Sequence, residues 1–257
     1  MRVVPIPCLK DNYAYLVICE DTQQAAVVDP SEAAPVLKAV EQVGVELVAI
    51  LNTHHHWDHV GGNKELLARF PRLAVYGHAS DSGRIDGQTH FLNTGDTFRV
   101  GKLDVRALHN PGHTSGAVSY VVENCVFTGD TMFAAGCGRL FEGTPQDMHH
   151  SLCEVIGALP ESTQVYFGHE YTEANLRFAA HVEPDNRDVQ ARLEAVRKLR
   201  AAGKFTTPST LADEWRTNPF MRSESPGIQA AVKKADPGND LTPVSVLGVV
   251  RELKNRF

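Results

Sequence analysis

The segment "LNTHHHWDHVGG", from Leu51 to Gly62, sets four histidines, one tryptophan and one aspartate in six consecutive positions, between an apolar run and two glycines. Imidazole nitrogens and carboxylates are ligands for borderline divalent ions. His54, His56, Asp58 and His59 form H-x-H-x-D-H. Alternation along an extended segment puts His54 and His56 on one side and turns His55 away. Asp58 and His59 follow where the chain begins to turn, so they face a second point. Two imidazoles near one point and a carboxylate with an imidazole near another suit two neighbouring metal ions. Gly61 and Gly62 let backbone pass close to the cluster.

A histidine-rich loop is also an ordinary solvated surface, so the rest of the chain decides. "HNPGHTSGA" carries His113 in a Pro-Gly turn, "VFTGDTMF" carries Asp130 beside Gly129, and "VYFGHEYT" carries His169 beside Gly168. Each is a ligand type at the carboxyl end of an apolar run with glycine next to it. Singly, such residues are caps or turn formers. Together with the histidine loop they make a ligand set.

These residues need a scaffold, and the chain supplies one in two halves. "YAYLVI" (13–18) and "AAVVD" (25–29) read as a hairpin pair around "CEDTQQ". "APVLKAVEQVG" (34–44) is helical, with Val36, Leu37, Val40 and Val43 on one face and Gly44 as its stop. "VELVAIL" (45–51) is a buried strand and "KELLARF" (64–70) a short helix. "LAVYG", "FRVG", "LDVRALH", "AVSYVV", "CVFTGD" and "TQVYFG" follow as strands. Mixed strands with interspersed helices give two sheets with helices outside, an αββα layering. Beyond Tyr171 the pattern turns helical. "DVQARLEAVRKLRAAG" carries Val189, Leu193, Val196 and Leu199 on one stripe. "TPVSVLGVVRELKNRF" opens with Thr242 as N-cap and Pro243 at the first helical position. The expected division is 1–172 and 173–257.

Composition narrows the function classes. The 257 residues are 42% hydrophobic and 22% charged, with a net charge of −6 and no basic run. A nucleic-acid partner is therefore not expected. No apolar stretch reaches membrane-spanning length. Pro5, Pro7, Lys10 and Asp11 interrupt any signal-type core at the N-terminus, so a cytoplasmic protein is expected. Five scattered cysteines without a C-x-x-C pair argue against a disulfide framework and against thiolate zinc sites; most are expected to be small buried residues.

Across "DNYAYLV", "THHHWDHVGGN", "GHTSGAVSYVV", "FTGDTMFAAGCGRLFEGT", "FGHEYT", "PSTLADEWRTNPFMR" and the terminal "RELKNRF", the chain resembles the glyoxalase II (hydroxyacylglutathione hydrolase) family of the metallo-β-lactamase superfamily. H-x-H-x-D-H alone specifies the superfamily; "AGCGRLFEGT", "GHEYT" and "NPFMR" specify the narrower family. The resemblance implies an α/β metallo-β-lactamase αββα sandwich (1–172, catalytic) with a C-terminal helical, substrate-binding domain (173–257). It implies two divalent metal ions, zinc foremost, with iron or manganese as alternatives. One ion takes His54, His56 and His113, the other Asp58, His59 and His169, and Asp130 bridges both. A hydroxide between the ions attacks the thioester carbonyl of an S-(2-hydroxyacyl)glutathione, and Asp58 orients it; the activity is the second step of methylglyoxal detoxification. A metal lowers the pKa of bound water from 15.7 to roughly 7, and a neighbouring cation stabilises the oxyanion.

For the glutathione part, the resemblance points to Arg139, Tyr171, Arg251 and Lys254. Arg251 and Lys254 are three apart on the last helix and share a face; their competing reading is a solvated surface. Some relatives have tyrosine where this chain has Phe141, so a hydroxyl contact from that position is absent. A monomer is expected.

Six histidines, His78, His90, His109, His149, His150 and His181, lie outside the ligand-bearing motifs, and Trp57 reads as a packing anchor. Four rival readings remain in view. A persulfide dioxygenase of the same fold wants one iron with three ligands, which the second ligand set disfavours. A nuclease is disfavoured by the acidic balance, and β-lactam hydrolysis by the C-terminal motifs. A closed structural metal module takes one ion with four ligands. No G-x-S-x-G and no paired cysteine suggest covalent catalysis.

Overall fold

The structure, a computed structural model, describes residues Met1–Phe257. Its first strand, β1 (Arg2–Cys8), carries Pro5 and Pro7. Two residues apart, both lack an N–H on the same side, and β1 is the outer strand of its sheet, where an open edge tolerates the loss. The prolines hide this strand from period-2 reading. β2 (Asn12–Cys19) is buried at all eight positions, as expected of a strand covered on both faces, which has no polar side.

The first sheet has the order β1-β2-β3-β4-β5-β6. β1, β2 and β3 (Gln24–Val28) are antiparallel, and β3, β4 (Glu46–Leu51), β5 (Ala74–His78) and β6 (His90–Leu92) are parallel. Parallel neighbours need crossovers. α1 (Ala33–Val43) links β3 to β4, and α2 (Trp57–Val60) with α3 (Asn63–Arg69) links β4 to β5. Gly44 ends α1 at φ 75, its amide bonding the Val40 carbonyl. Val36 and Val40 of α1 and Leu66 of α3 pack with Leu16, Ile18, Val27, Ile50 and Val75 of the sheet.

β7 (Thr97–Val100), β8 (Leu103–His109), β9 (Val118–Val122) and β10 (Cys125–Gly129) form a second, antiparallel run. β11 (Met132–Phe133) and β12 (Gly136–Cys137) make a small hairpin of their own, and β13 (Gln164–Phe167) follows β10 in the second sheet. Aromatic side chains join the two sheets. Tyr15 of β2 meets Phe127 at 5.7 Å and Tyr166 at 5.2 Å between ring centres, and Tyr76 stacks on Phe98 at 3.9 Å. The Tyr120 hydroxyl reaches the Asn52 carbonyl at 2.8 Å, so this ring is buried without stranding its polar end.

Helices dominate the rest. α4 (Pro145–His149) opens with a reciprocal capping box between Thr144 and Asp147 and runs into a π-helical turn at His150–Ile156. α5 (Thr172–Val182), α6 (Arg187–Ala201), the short β14 (Ser209–Thr210), α7 (Leu211–Thr217), α8 (Pro226–Ala235) and α9 (Pro243–Arg256) complete the chain. Asn186 caps α6 through the amides of Asp188 and Val189. Val189, Leu193 and Val196 pack with Leu176, Ala179 and Ala135, while the last member of the expected stripe, Leu199, is exposed.

The compact units do not follow chain order. One comprises Met1–His109, Ser115–Asp130 and Tyr166–His169; the other comprises Asn110–Thr114, Thr131–Val165 and Glu170–Phe257. A cut at 172/173 follows chain order instead, and long-range polar bonds explain the difference. The buried Glu214 carboxylate accepts from the Ala135 amide at 2.7 Å, and Asn218 Nδ2 donates to the Gly136 carbonyl at 3.0 Å. Arg251 donates to the Cys137 carbonyl at 2.8 Å. The β11–β12 hairpin therefore belongs with helices that follow it in the chain, at separations of 79, 82 and 114 positions.

Candidate metal centre

β4 delivers the histidine loop from a buried apolar strand, and Asn52 closes it. Asn52 Nδ2 donates to the His59 carbonyl at 3.1 Å and Asn52 Oδ1 accepts from Asn63 at 2.8 Å. The loop returns tightly because Gly61 and Gly62 lie against the backbone of Pro30 and Ser31. A Cβ at Gly61 would sit 2.6 Å from the Ser31 carbonyl oxygen, and one at Gly62 2.7 Å from that of Pro30. The two glycines thus accommodate the β3–α1 connection.

The single turn of α2 carries Asp58 and His59, and with His169 they offer ligand atoms within 4.8 Å of one another. Asp58 Oδ2 lies 3.7 Å from His59 Nε2 and 3.4 Å from His169 Nε2. Asp130, one residue past β10, directs its two oxygens to different histidines: Oδ1 is 3.3 Å from His59 Nε2 and Oδ2 is 3.4 Å from His169 Nε2. His54 Nε2 and His56 Nδ1 are 3.1 Å apart. His55 turns the other way, to Asp81 at 3.2 Å and to Arg84.

Glycine permits this crowding. Gly168 has no room for a Cβ, which would stand 2.5 Å from Asp130 Oδ1 and 2.8 Å from His59 Cε1. Gly129, at φ +49, faces Thr53, whose hydroxyl a Cβ would strike.

Each histidine of this trio is backed by a carboxylate. His59 Nδ1 is 2.9 Å from Asp29 Oδ2, and His169 Nδ1 is 2.9 Å from Asp11 Oδ1. This fixes the tautomer and presents Nε2 to the centre. His59 Nε2 is buried, engaged in no hydrogen bond, and faces two carboxylates, which is the position of a ligand atom. Asp29 itself is spoken for: it also accepts from the Thr53 amide at 2.7 Å and the Thr53 hydroxyl at 2.6 Å. The grouping of Asp29 with His54 and His59 is therefore support rather than a third ligand set.

The electrostatics match a cation. Burial acts to lower the basicity of His59, yet the carboxylates of Asp130 and Asp29 overcome it and hold its pKa well above the ordinary value. His169 is raised in the same way, burial being outweighed by Asp130. Burial acts to raise the Asp130 pKa, but His59 and His169 pull it well below the carboxylate range. A site that draws protons onto buried imidazoles is one that a divalent ion stabilises by the same field. The donor set is nitrogen and oxygen without thiolate, which fits zinc, iron or manganese.

His113 lies in the Asn110–Thr114 segment, in the second unit, tethered through the chain to β8 and β9. Its Nδ1 bonds the Arg139 carbonyl at 2.8 Å, which makes Nε2 the lone-pair nitrogen. Its own carbonyl accepts from the Phe141 amide at 3.2 Å, and the exposed Phe141 ring tilts against the imidazole at 5.2 Å.

The four residues assigned to glutathione also lie in the second unit. Arg139 is exposed. Tyr171 precedes α5 with its ring edge-on to Phe133 at 5.5 Å. Arg251 is no part of a solvated face: it is 6% exposed, bonded to Cys137 and set over the Phe220 ring at 5.0 Å. Lys254 is half-buried between Phe178 and Phe257, at 5.3 and 5.4 Å from the ring centres. Burial, helped by Arg251 and Arg177, pulls its pKa down to about 8.

Trp57, expected to anchor packing, is instead 72% exposed, because the first position of the α2 turn points it outward. Sequence reading missed Asp29, Asp11, Asn12 and Thr53. Asp29 ends the apolar run "AAVV" just as Asp130 and His169 end theirs, so the same signal marks it. Asp11 and Asn12 carry no such mark.

Residues 10–169 match the family model of the metallo-β-lactamase superfamily, and residues 170–257 match that described as hydroxyacylglutathione hydrolase C-terminus. A hydroxyacylglutathione hydrolase of Synechococcus sp. (strain JA-2-3B'a(2-13)) is 50% identical over 259 residues, spanning 100% of both chains. A cytoplasmic hydroxyacylglutathione hydrolase of Arabidopsis thaliana is 44% identical over 100% of this chain and 98% of its own. Among solved structures, the BLEG-1 B3 metallo-β-lactamase superposes with a TM-score of 0.66 at 24% identity, covering 86% of this chain and 100% of its own. TTHA1623 in a di-iron-bound form gives a TM-score of 0.60 at 26% identity with the same coverage. The fold is the metallo-β-lactamase fold with a C-terminal helical region.

Proposed function

The chain belongs to the hydroxyacylglutathione hydrolase family of the metallo-β-lactamase superfamily, and from that membership we propose that it hydrolyses the thioester of S-(2-hydroxyacyl)glutathione, S-D-lactoylglutathione foremost, to the 2-hydroxy acid and glutathione. This is the second step of methylglyoxal detoxification. The observation that carries the reading is the trio Asp58, His59 and His169 facing Asp130, with both imidazoles backed by carboxylates.

The residues present fit two divalent ions. His54, His56 and His113 would hold one, Asp58, His59 and His169 would hold the other, and Asp130 would serve both. Zinc is the first choice, with iron and manganese suited to the same donors. When bound, the ions supply a hydroxide at neutral pH and stabilise the oxyanion of the thioester carbonyl.

The chain's own groups do the rest. Asn12 Nδ2 donates to Asp58 Oδ2 at 3.2 Å and to the Asp58 carbonyl at 3.0 Å, which holds that carboxylate where it orients the attacking oxygen. The thiolate leaves without a general acid because a thiol is acidic enough, with a pKa of about 8.5, for its anion to depart unprotonated. Arg139, Tyr171, Arg251 and Lys254 hold the glutathione moiety. The catalytic domain is residues 1–172, with a substrate-binding helical domain at 173–257. No helix is long and apolar enough to cross a membrane. The reading places the protein in the cytoplasm as a monomer, with neither a membrane nor a nucleic acid as partner.

Incubation of metal-loaded protein with S-D-lactoylglutathione tests this directly. Loss of thioester absorbance with stoichiometric release of thiol is expected. Intact thioester in the presence of a fully loaded centre would end the reading.

A further inference from the structure

The β1–β2 turn, which sequence reading passed over, reaches two of the proposed ligands at once. Asp11 accepts from His169 Nδ1 at 2.9 Å, and the neighbouring Asn12 donates to Asp58. Behind His59 stands Asp29. For two of the other histidines the group bonded to Nδ1 is neutral, although the Thr53 hydroxyl behind His54 itself donates to Asp29 Oδ2 at 2.6 Å. His54 Nδ1 meets the Thr53 hydroxyl at 3.0 Å, and His113 Nδ1 meets the Arg139 carbonyl. A carboxylate behind an imidazole makes its outer nitrogen a stronger donor and adds negative charge near the ion; a hydroxyl or a carbonyl does so less.

We propose that the two ion positions are unequal, that the ion on Asp58, His59 and His169 is the tightly held one, and that Asp11 is a positioning residue that sets much of the difference. The proposal rests on the two-ion reading given above. Asp29 contributes to the same asymmetry, but it is buried and also holds the Thr53 amide and hydroxyl, so it serves the loop as well. Asp11 is the cleaner lever, because it sits in a turn with its side chain 31% exposed and contacts the centre only through His169 Nδ1.

The test uses the full chain stripped of metal and titrated with cobalt(II) alone, against a competing chelator. Its visible absorption reports each ion as it binds. The wild type should take up two ions in separate steps. Asp11→Asn keeps the shape and removes the charge. It should weaken the tight step by about 10- to 100-fold, the usual effect of losing such a partner, and leave the weaker step where it was. The absorption bands of the first ion should shift, since the His169 donor changes; a purely structural role for the turn would not move them. Asp11→Ala, which also removes the acceptor, should weaken the same step at least as far, and far-ultraviolet circular dichroism of each apo variant checks the fold. A tight step unchanged in both variants, or both steps weakened alike, overturns the proposal. A wild type that binds a single ion instead refutes the two-ion reading itself, so the two failures are distinct.

Discussion

Glu214→Ala should destabilise the protein severely although it touches no proposed ligand. The residue is fully buried, and its carboxylate accepts four bonds. The donors are the Ala135 amide at 2.7 Å, Asn218 Nδ2 at 3.0 Å, Arg192 Nη2 at 2.8 Å and Ser209 Oγ at 2.5 Å. At about 0.5–1.5 kcal/mol net for each, four bonds amount to roughly 2–6 kcal/mol. Removing one partner of a buried ion pair independently suggests about 3–5 kcal/mol, because the Arg192 guanidinium is left uncompensated. The two routes agree on about 4 kcal/mol. For a chain of this size about 1 kcal/mol moves the melting point by roughly 2–4 °C, so a fall of roughly 8–16 °C is expected. Glu214→Gln keeps the volume and one acceptor oxygen and should fall between. Thermal unfolding followed by circular dichroism, at fixed metal content, measures both variants. A Glu214→Ala protein that melts within about 2 °C of the parent, less than about 1 kcal/mol on that scale, would show that the network is not what holds the β11–β12 hairpin.

Asp130→Asn should lose metal and most activity, whereas His55→Ala should keep both, because its ring rests on Asp81 rather than on the centre; elemental analysis and turnover measure the pair. Gly168→Ala should lose metal almost as fully, since its new methyl would stand 2.5 Å from Asp130 Oδ1, and cobalt uptake reads this. Lys254→Ala should raise KM for the glutathione thioester by about tenfold or more, with kcat and metal content nearly unchanged, as expected for a contact made equally in ground and transition states, whereas Arg251→Ala, which also loses its buried bond to the Cys137 carbonyl, should raise KM and lower the melting point together. Lys254 is an ammonium below its pKa of about 8 and neutral above it, so KM in the wild type should climb as pH rises through that value. In Lys254→Met the same profile should be flat through that range and already high below it.

The proposed ligands were legible where local spacing carries them. H-x-H-x-D-H is a six-residue pattern, and His113, Asp130 and His169 each stand beside a glycine at the end of an apolar run. The helical half was legible because α6 and α9 announce themselves by stripe and cap. What stayed hidden depends on partners far away in sequence. Asp11 gains its role only from His169, 158 positions on. β1 was masked by Pro5 and Pro7, which an outer strand tolerates and a central one does not. Trp57 reads as core by residue type and lies in solvent because of one helical turn. The grouping of 131–165 with the final helices follows from buried polar bonds that leave no periodic trace.

That grouping has a consequence for synthesis. The β11–β12 hairpin leaves the ribosome long before its partners exist: Cys137 precedes Arg251 by 114 positions. At about 5–20 residues per second the interval is roughly 6–23 s, during which Met132, Phe133 and Cys137 are translated but cannot be buried as they finally are. The hairpin is completed by α9, so the segment running on from it to Arg139, whose carbonyl orients His113, is fastened only once Arg251 has been made. A message truncated before Arg251 would yield a chain with every proposed metal ligand encoded and one of the bonds that steady this hairpin missing. Quality-control proteases would meet it as an apolar loop left open.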